Sequence, residues 1–423
     1  MIDQRLHTPE GVKDYLPNEE AFKIEIERRI ETIFIRYGYV PLSSPTFEYM
    51  EVFEGMGSVK PKQMYKFLDR DSSMLALRSD MTPAIARIAA TAYDKSDIPL
   101  RFYYIEDVFR YNEKYQGKLR EFTQAGIELI GVNSADADAE VIAAAVNSLI
   151  ASGLKNFKVC IGNVLFFNAV IEEGGFDNDT YLKIQDFITE KDFAEAYKLV
   201  KESQASEGIK SIFEHLPVFI GGKEIISKAR EFIKSKAAID ALISLENVFN
   251  ILKAYGLEKF IKIDLSIIGN FDYYTGITFR GYAEGTGLSV ISGGRYDKLI
   301  KNYGADFPSV GFAIKLNNLI SALENQKNDV PFVYADTLIA FTEEGRNTAV
   351  ETADELRSKG LNIENSLLGD DMQKNMDYAE KKNMGGILYF SDSENVKIID
   401  MTSRDIKDVK ISELLKNNME GKH

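Results

Sequence analysis

The chain has 423 residues, 45% of them hydrophobic and 27% charged, with a net charge of −14. These are the proportions of an ordinary globular protein, and the length predicts two or three domains rather than one core. The acidic charge disfavours a large nucleic-acid-binding face, because such faces are usually basic.

One cysteine and three widely spaced histidines exclude an internal disulfide and give no zinc-ligand spacing. We therefore expect no metal and no cofactor. Cys160 lies in the alternating stretch FKVCIG, which indicates an inert position in a buried strand. The N-terminus lacks an apolar signal-peptide core, and no apolar run is long enough for a bilayer-spanning helix. These features predict a cytoplasmic protein without membrane association.

The first predicted element is a helix that begins at Asn18 as its N-cap and ends at Gly38. Its apolar face repeats at helical spacing through Phe22, Ile26, Ile30 and Phe34. Pro41 and Pro45 then mark residues 39–49 as an edge strand or a loop-like strand.

Residues 101–131 are predicted to form a β-hairpin with a polar loop between its strands. Strand alternation places a mixed polar set on one face of the return strand: Arg120, Phe122, Gln124, Gly126 and Glu128. This face is either the solvated side of an antiparallel sheet or the polar floor of a pocket, and periodicity alone leaves both open.

A second strand-rich block covers residues 260–322, and a helical stretch at about 165–258 separates it from the hairpin. Within the block, Gly293 and Gly294 predict a tight turn before a helix. From residue 331 onward, strands and helices alternate, which predicts a small α/β domain.

Several stretches, in order along the chain, resemble the histidyl-tRNA synthetases of class II. They are TPEGVKDYLP, YGYVPLSSPTFEY, FRYNEKYQGKLREFTQAGIELIG, DYYTG, GGRYDKL and PSVGFAIKLNNL. The resemblance implies an α+β fold with a class II synthetase-like antiparallel sheet flanked by helices. It implies a core domain at 1–325 with its helical insert at about 165–258, and an anticodon-binding-like α/β domain at 331–423.

The same resemblance implies a pocket for free histidine. Eight residues match the family's histidine-binding positions: Asp80, Thr82, Arg110, Gln124, Glu128, Tyr273, Tyr274 and Tyr296. Their chemistry suits an amino acid, because carboxylates and an amide can hold an ammonium and a guanidinium can hold a carboxylate. Glutamate and phenol groups can bind the two imidazole nitrogens.

The departures from the synthetase pattern fall on the nucleotide side. Gly269 stands where the family has an arginine of the histidine motif, and Asn318 stands where it has the motif 3 arginine. Asn112 and Glu113 replace the Glu-Arg pair of motif 2, so that Arg110 and Arg120 alone remain of the charged ATP-binding set. The implied pocket would bind histidine without activating it, and no catalytic residue is expected.

This combination resembles the synthetase-like regulatory subunits of short-form ATP phosphoribosyltransferase. The resemblance implies a non-catalytic subunit that activates a short catalytic subunit and senses histidine for feedback inhibition of the first step of histidine biosynthesis. It also implies a homodimer within a hetero-octamer, and we expect no tRNA binding. The alternatives are a divergent histidyl-tRNA synthetase and a stand-alone sensor of histidine or tRNA.

Overall fold

The structure, a computed structural model, describes residues 3–54, 59–111, 119–267, 274–327 and 335–411. The chain folds into two compact units, Met1–Asp329 and Val330–His423. Among the residues that the structure describes, no helix combines the length and apolar character that crossing a bilayer requires.

Within the ranges given above, the strands of the first unit form one large sheet and one small sheet. In chain order they are β1 (Val40–Pro41), β2 (Phe47–Tyr49), β3 (Lys66–Leu68), β4 (Met74–Leu77), β5 (Leu100–Phe109), β6 (Glu121–Ile130), β7 (Phe157–Asn163), β8 (Ile220–Gly221), β9 (Ile261–Asp264), β10 (Ile277–Ala283), β11 (Ser289–Arg295) and β12 (Ser309–Lys315). The large sheet has the order β1-β5-β6-β12-β11-β10-β7-β9-β8, and the small sheet has the order β2-β4-β3. The large sheet is antiparallel except at the β1–β5 and β7–β9 pairs.

The helices of this unit cover both faces of the large sheet and fill the insert. In chain order they are α1 (Pro17–Arg36), α2 (Met81–Ala92), α3 (Ala135–Ala151), α4 (Val164–Gly174), α5 (Asn178–Thr189), α6 (Phe193–Lys201), α7 (Glu207–His215), α8 (Glu224–Arg230), α9 (Lys236–Ala254) and α10 (Leu316–Asn325). The run from α4 to α9 occupies the predicted helical stretch, interrupted by the short strand β8.

The two faces of the large sheet have separate cores. On β6, Ala125, Ile127 and Leu129 pack in the larger core together with residues of α1 and α3. On the other face, Met81 of α2 lies in a second core with residues of β5. The even-numbered face of β6, which includes Gln124 and Glu128, is buried. The solvated alternative for this face of the hairpin is therefore wrong.

Two local predictions are also wrong. Helix α1 starts at Pro17 with Leu16 as its N-cap, not at Asn18, because proline at the first helical position already supplies the required φ and lacks a donor to satisfy. Gly293 and Gly294 lie inside strand β11, not in a turn. A Cβ atom on Gly293 would come within 2.5 Å of the Gly311 carbonyl oxygen, so close strand packing explains that glycine.

The described residues of the second unit form a five-stranded sheet with two helices. Its elements are β13 (Thr337–Phe341), α11 (Arg346–Ser358), β14 (Ile363–Asn365), α12 (Met372–Lys381), β15 (Gly386–Phe390), β16 (Asn395–Asp400) and β17 (Ile406–Lys410). Strands β14, β13 and β15 are parallel, as the alternating pattern predicts, and β16 and β17 extend the sheet antiparallel.

The cysteine lies where the sequence pattern predicts it, on strand β7. Cys160 pairs in register with Arg280 of β10 and Lys262 of β9, and its thiol is free and partly buried. Burial raises the pKa of this thiol to about 11. The thiol is therefore protonated at neutral pH, which agrees with a packing role.

Candidate ligand-binding site

Seven of the eight predicted site residues line one cavity on the α2 side of the large sheet. They are Asp80, Thr82, Arg110, Gln124, Glu128, Tyr274 and Tyr296. Tyr273 lies outside the described residues. The structure therefore brings together residues from α2, the hairpin and the second strand-rich block, and their role in binding histidine stays a prediction.

Glu128 lies at the centre of the cavity with 1% of its surface exposed. Its Oε1 atom accepts a hydrogen bond of 2.8 Å from Thr82 Oγ1, and its Oε2 atom accepts one from the Tyr296 hydroxyl. Burial raises the pKa of this carboxyl group to about 8, although the two hydroxyl donors act in the opposite direction. Glu128 can therefore gain or lose a proton near neutral pH.

Asp80 and Arg110 form an ion pair at the start of α2, with 3.1 Å between Arg110 Nη2 and Asp80 Oδ2. Asp80 is the N-cap of α2 and accepts a hydrogen bond of 2.9 Å from the Met81 amide. Arg110 Nε donates to the Ser79 carbonyl oxygen at 2.6 Å. Both charged groups are thus held in fixed positions at the cavity wall.

Gln124 presents a buried acceptor to the cavity. The residue is 2% exposed, and its Oε1 atom has no hydrogen-bond partner among the described residues. Buried polar atoms in native structures are nearly always paired with protein, water or a ligand. The amide oxygen of Gln124 therefore marks a position where a donor from a bound molecule would fit.

Glycines on the neighbouring strands make room for these side chains. Gly311 lies opposite Glu128 in the β6–β12 register, and a Cβ atom there would overlap Glu128 Oε2. Gly126 of β6 has the Tyr104 hydroxyl 2.5 Å from the position that its Cβ atom would take. Strand alternation predicts Gly126 on this face, whereas no local sequence signal indicates the need for Gly311.

Lys315 is a lining residue that the sequence analysis missed. It stands opposite Gln124 in the β6–β12 register and brings a second cation to the cavity besides Arg110. The signal was present in PSVGFAIK, where Gly311 and Lys315 share one strand face. That face becomes informative only once β12 is known to pair with β6.

The side chains on the nucleotide side have other partners. Arg120 Nη2 is 3.1 Å from Glu10 Oε2, and the Arg120 guanidinium lies over the Tyr111 ring at 4.8 Å. Asn318 Nδ2 donates to the Ser289 carbonyl oxygen at 2.8 Å. Gly269, Asn112 and Glu113 lie outside the described residues. In the described part of the chain, no three His, Cys, Asp or Glu side chains group as metal ligands would.

Comparison with known proteins decides the family. The model of the histidyl-tRNA synthetase family matches residues 11–319. An ATP phosphoribosyltransferase regulatory subunit from Acetivibrio thermocellus is 39% identical over 417 residues, which cover 98% of this chain and 100% of the relative. The chain belongs to the family of ATP phosphoribosyltransferase regulatory subunits. A second regulatory subunit, from Ruminiclostridium cellulolyticum, is 35% identical over 98% of this chain and 99% of its own length.

Solved structures agree with this assignment. The crystal structure of an ATP phosphoribosyltransferase regulatory subunit/histidyl-tRNA synthetase from Bacillus halodurans has a TM-score of 0.81 and 31% identity, covering 91% of this chain and 98% of that one. A histidyl-tRNA synthetase from Nostoc sp. has a TM-score of 0.83 at 22% identity, covering 97% and 99% of the two chains, and supports the fold alone.

Membership in the regulatory-subunit family confirms two predictions: the family resemblance and the class II synthetase-like fold. It gives the chain a regulatory, non-catalytic role in histidine biosynthesis.

Proposed function

We propose that this chain binds free L-histidine in the cavity and adjusts the activity of a short catalytic ATP phosphoribosyltransferase subunit. The first step of histidine biosynthesis would then be inhibited by its end product. One observation carries the proposal: the cavity keeps groups complementary to histidine, whereas the described side chains on the nucleotide side are neutral or ion-paired.

Each part of histidine has a complementary group at the cavity. The free acceptor Gln124 Oε1 and the carboxylate of Asp80 suit the ammonium. Arg110 and Lys315 suit the carboxylate. Glu128 suits an imidazole nitrogen, because a carboxyl group with a pKa of about 8 can accept or donate a hydrogen bond near neutral pH.

The nucleotide side argues against adenylation. A preorganised donor to a developing anion contributes about 2.7–4 kcal/mol to catalysis. Gly269 and Asn318 stand where the resemblance implies two phosphate-contacting arginines. Loss of two such donors would slow the reaction by on the order of 10⁴ if their effects add.

The names of the relatives support a proposal for the partner. A protein named as a regulatory subunit implies a catalytic ATP phosphoribosyltransferase subunit, which we propose as the partner. We propose a homodimer formed through residues 30–50, assembled with catalytic dimers into a hetero-octamer. A divergent histidyl-tRNA synthetase is the second candidate, and the family model that matches residues 11–319 is the observation in its favour.

The test is reconstitution with a short catalytic subunit, followed by assay of the condensation of ATP with phosphoribosyl pyrophosphate. We expect the chain to raise this activity and histidine to lower it. Glu128→Gln should preserve activation and raise the histidine concentration needed for inhibition.

If histidine lowers the affinity for substrate, linkage requires that substrate lower the affinity for histidine by the same factor, typically about 5–150-fold. Activation without any effect of Glu128→Gln or Gln124→Ala on inhibition would place the inhibitory site on the catalytic subunit. Histidine-dependent pyrophosphate exchange by the chain alone would favour the synthetase.

A further inference from the structure

Behind the cavity, Thr275 and Asp297 form a closed pair of hydrogen bonds. The Thr275 hydroxyl donates to Asp297 Oδ2 at 3.0 Å and accepts from the Asp297 amide at 2.9 Å. Because both hydrogen bonds share the Thr275 hydroxyl group, each bond holds that group in the orientation that the other bond requires. The pair joins the segment that leads into β10 with the segment that follows β11, and we refer to it as the Thr275–Asp297 clasp.

Arg295 ties this clasp to the rest of the core. Its Nη1 atom is 3.0 Å from Asp297 Oδ1, and its Nη2 atom is 2.7 Å from Asp138 Oδ1 on α3. The Ser309 amide at the start of β12 also donates to Asp297 Oδ1 at 3.0 Å. Asp297 therefore fixes the relative positions of three segments around the cavity.

The neighbours of the clasp in sequence are the two tyrosines of the cavity. Tyr274 directly precedes Thr275, and Tyr296 directly precedes Asp297. Both tyrosines line the cavity, whereas Thr275, Arg295 and Asp297 line a separate groove beside α3, α4 and α9. The clasp thus ties together the two residues that directly follow the tyrosines in the chain.

We propose that Thr275 and Asp297 are positioning residues that set the placement of Tyr274 and Tyr296 and thereby the affinity of the cavity for histidine. The inference rests on the proposed function for its ligand. Neither residue lines the cavity, so their effect passes through the tyrosines. The Tyr296 hydroxyl, which donates to Glu128, is the group through which a displaced backbone would disturb the centre of the cavity.

A matched pair of substitutions at Thr275 separates the effect of the hydroxyl hydrogen bonds from the effect of side-chain packing. Thr275→Val keeps the branched shape and removes both hydrogen bonds, whereas Thr275→Ser keeps the hydroxyl and loses only a methyl group. By calorimetry, we expect Thr275→Val to bind histidine about tenfold more weakly than the parent, and Thr275→Ser to bind nearly as tightly as the parent. In a Tyr296→Phe background, Thr275→Val should have a much smaller effect, because the hydroxyl that it displaces is gone.

A readout without ligand keeps the inference testable if the chain fails to bind histidine. In protein labelled with ¹³Cζ-tyrosine, Tyr274→Phe and Tyr296→Phe assign the two resonances. Thr275→Val should shift both resonances, and Thr275→Ser should leave them in place. The proposed role of the clasp would be overturned if Thr275→Val left both resonances unshifted. It would also be overturned if Thr275→Val and Thr275→Ser weakened histidine binding equally. A parent chain without histidine affinity but with the expected shifts would overturn the proposed function and leave the clasp standing.

Discussion

Gly311 lies directly opposite Glu128 in the β6–β12 register, and a Cβ atom on residue 311 would overlap Glu128 Oε2. The absence of a side chain at residue 311 is therefore a condition for the buried carboxyl group to hold its position. That position in turn allows Thr82 and Tyr296 to donate to it.

Gly311→Ala should displace Glu128 and abolish measurable histidine binding. Overpacking of this kind costs about 1–3 kcal/mol of stability, so the variant should remain folded. Calorimetry and thermal unfolding measure the two effects. Gly287→Ala is the matched control, because its Cβ atom would meet nothing within 4 Å. Parent-like histidine affinity in Gly311→Ala would contradict the placement of the site.

Asp80→Asn should weaken histidine binding by about 1–3 kcal/mol, the usual cost of leaving a charged group poorly matched. The substitution removes the charge that Asp80 offers to Arg110 and to the ligand, and the asparagine oxygen can still cap α2. Asp80→Ala serves as the comparison, because it should also lose about 1 kcal/mol of stability with the cap. Equal stability losses in both variants, with unchanged binding, would limit Asp80 to a capping role.

The pH dependence of stability should carry the signature of Glu128. Between the ordinary value of 4.5 and the raised pKa of about 8, the unfolded chain loses a proton that the folded chain keeps. The free energy of unfolding should therefore fall as pH rises through this window, by up to about 1.4 kcal/mol per pH unit, and level off above pH 8.

Urea denaturation at several pH values, compared between the parent and Glu128→Gln, isolates this contribution from other groups. The difference between the two profiles should follow the stated slope. Glu284→Gln, at an exposed position after β10, should leave the profile unchanged. Parallel profiles for the parent and Glu128→Gln would show that Glu128 ionises normally.

The chain should not form histidyl-adenylate. Pyrophosphate exchange that depends on histidine and ATP should be at least about 10⁴-fold slower than for an active histidyl-tRNA synthetase assayed alongside. Asn318→Arg alone should not restore it, because Gly269 still stands where the synthetase family has its other arginine. Exchange at a rate near that of the active enzyme would overturn this expectation.

Dimerisation through residues 30–50 predicts that apolar side chains in this segment are covered by a second copy. Ile35, Val40, Phe47 and Tyr49 are 52–58% exposed in the single chain. Phe47→Asp should shift the chain from dimer to monomer in sedimentation equilibrium. Leu182→Asp, at a 46% exposed leucine of α5, is the control and should remain dimeric. A dimer that persists in Phe47→Asp would move the interface elsewhere.

The sequence predicted correctly which residues share a face of β6, but it did not predict what covers that face. Strand alternation correctly grouped Gln124, Gly126 and Glu128, because a period of two needs only local sequence. Whether this face met solvent or a cavity depended on pairing with β12, about 180 residues further along the chain. The resemblance to a known family resolved this point, and periodicity could not.

Local signals failed where long-range packing determined the conformation. Gly293 reads as a turn residue by its flexibility, yet it lies in strand β11, where close packing against the neighbouring strands leaves no space for a Cβ atom. Lys315 was missed because a single lysine in a strand indicates nothing until the facing strand is known.

The sole cysteine gives the chain a built-in chemical reporter. With a pKa of about 11, only about one Cys160 thiol in ten thousand is ionised at neutral pH, so alkylation of the closed sheet should be very slow. The strand that carries it leads directly from the large sheet into α4. The rate at which a maleimide modifies the chain therefore reports how accessible this partly buried thiol of β7 is. A change in that rate on addition of histidine or of a catalytic subunit would report motion at the base of the insert, without any engineered label.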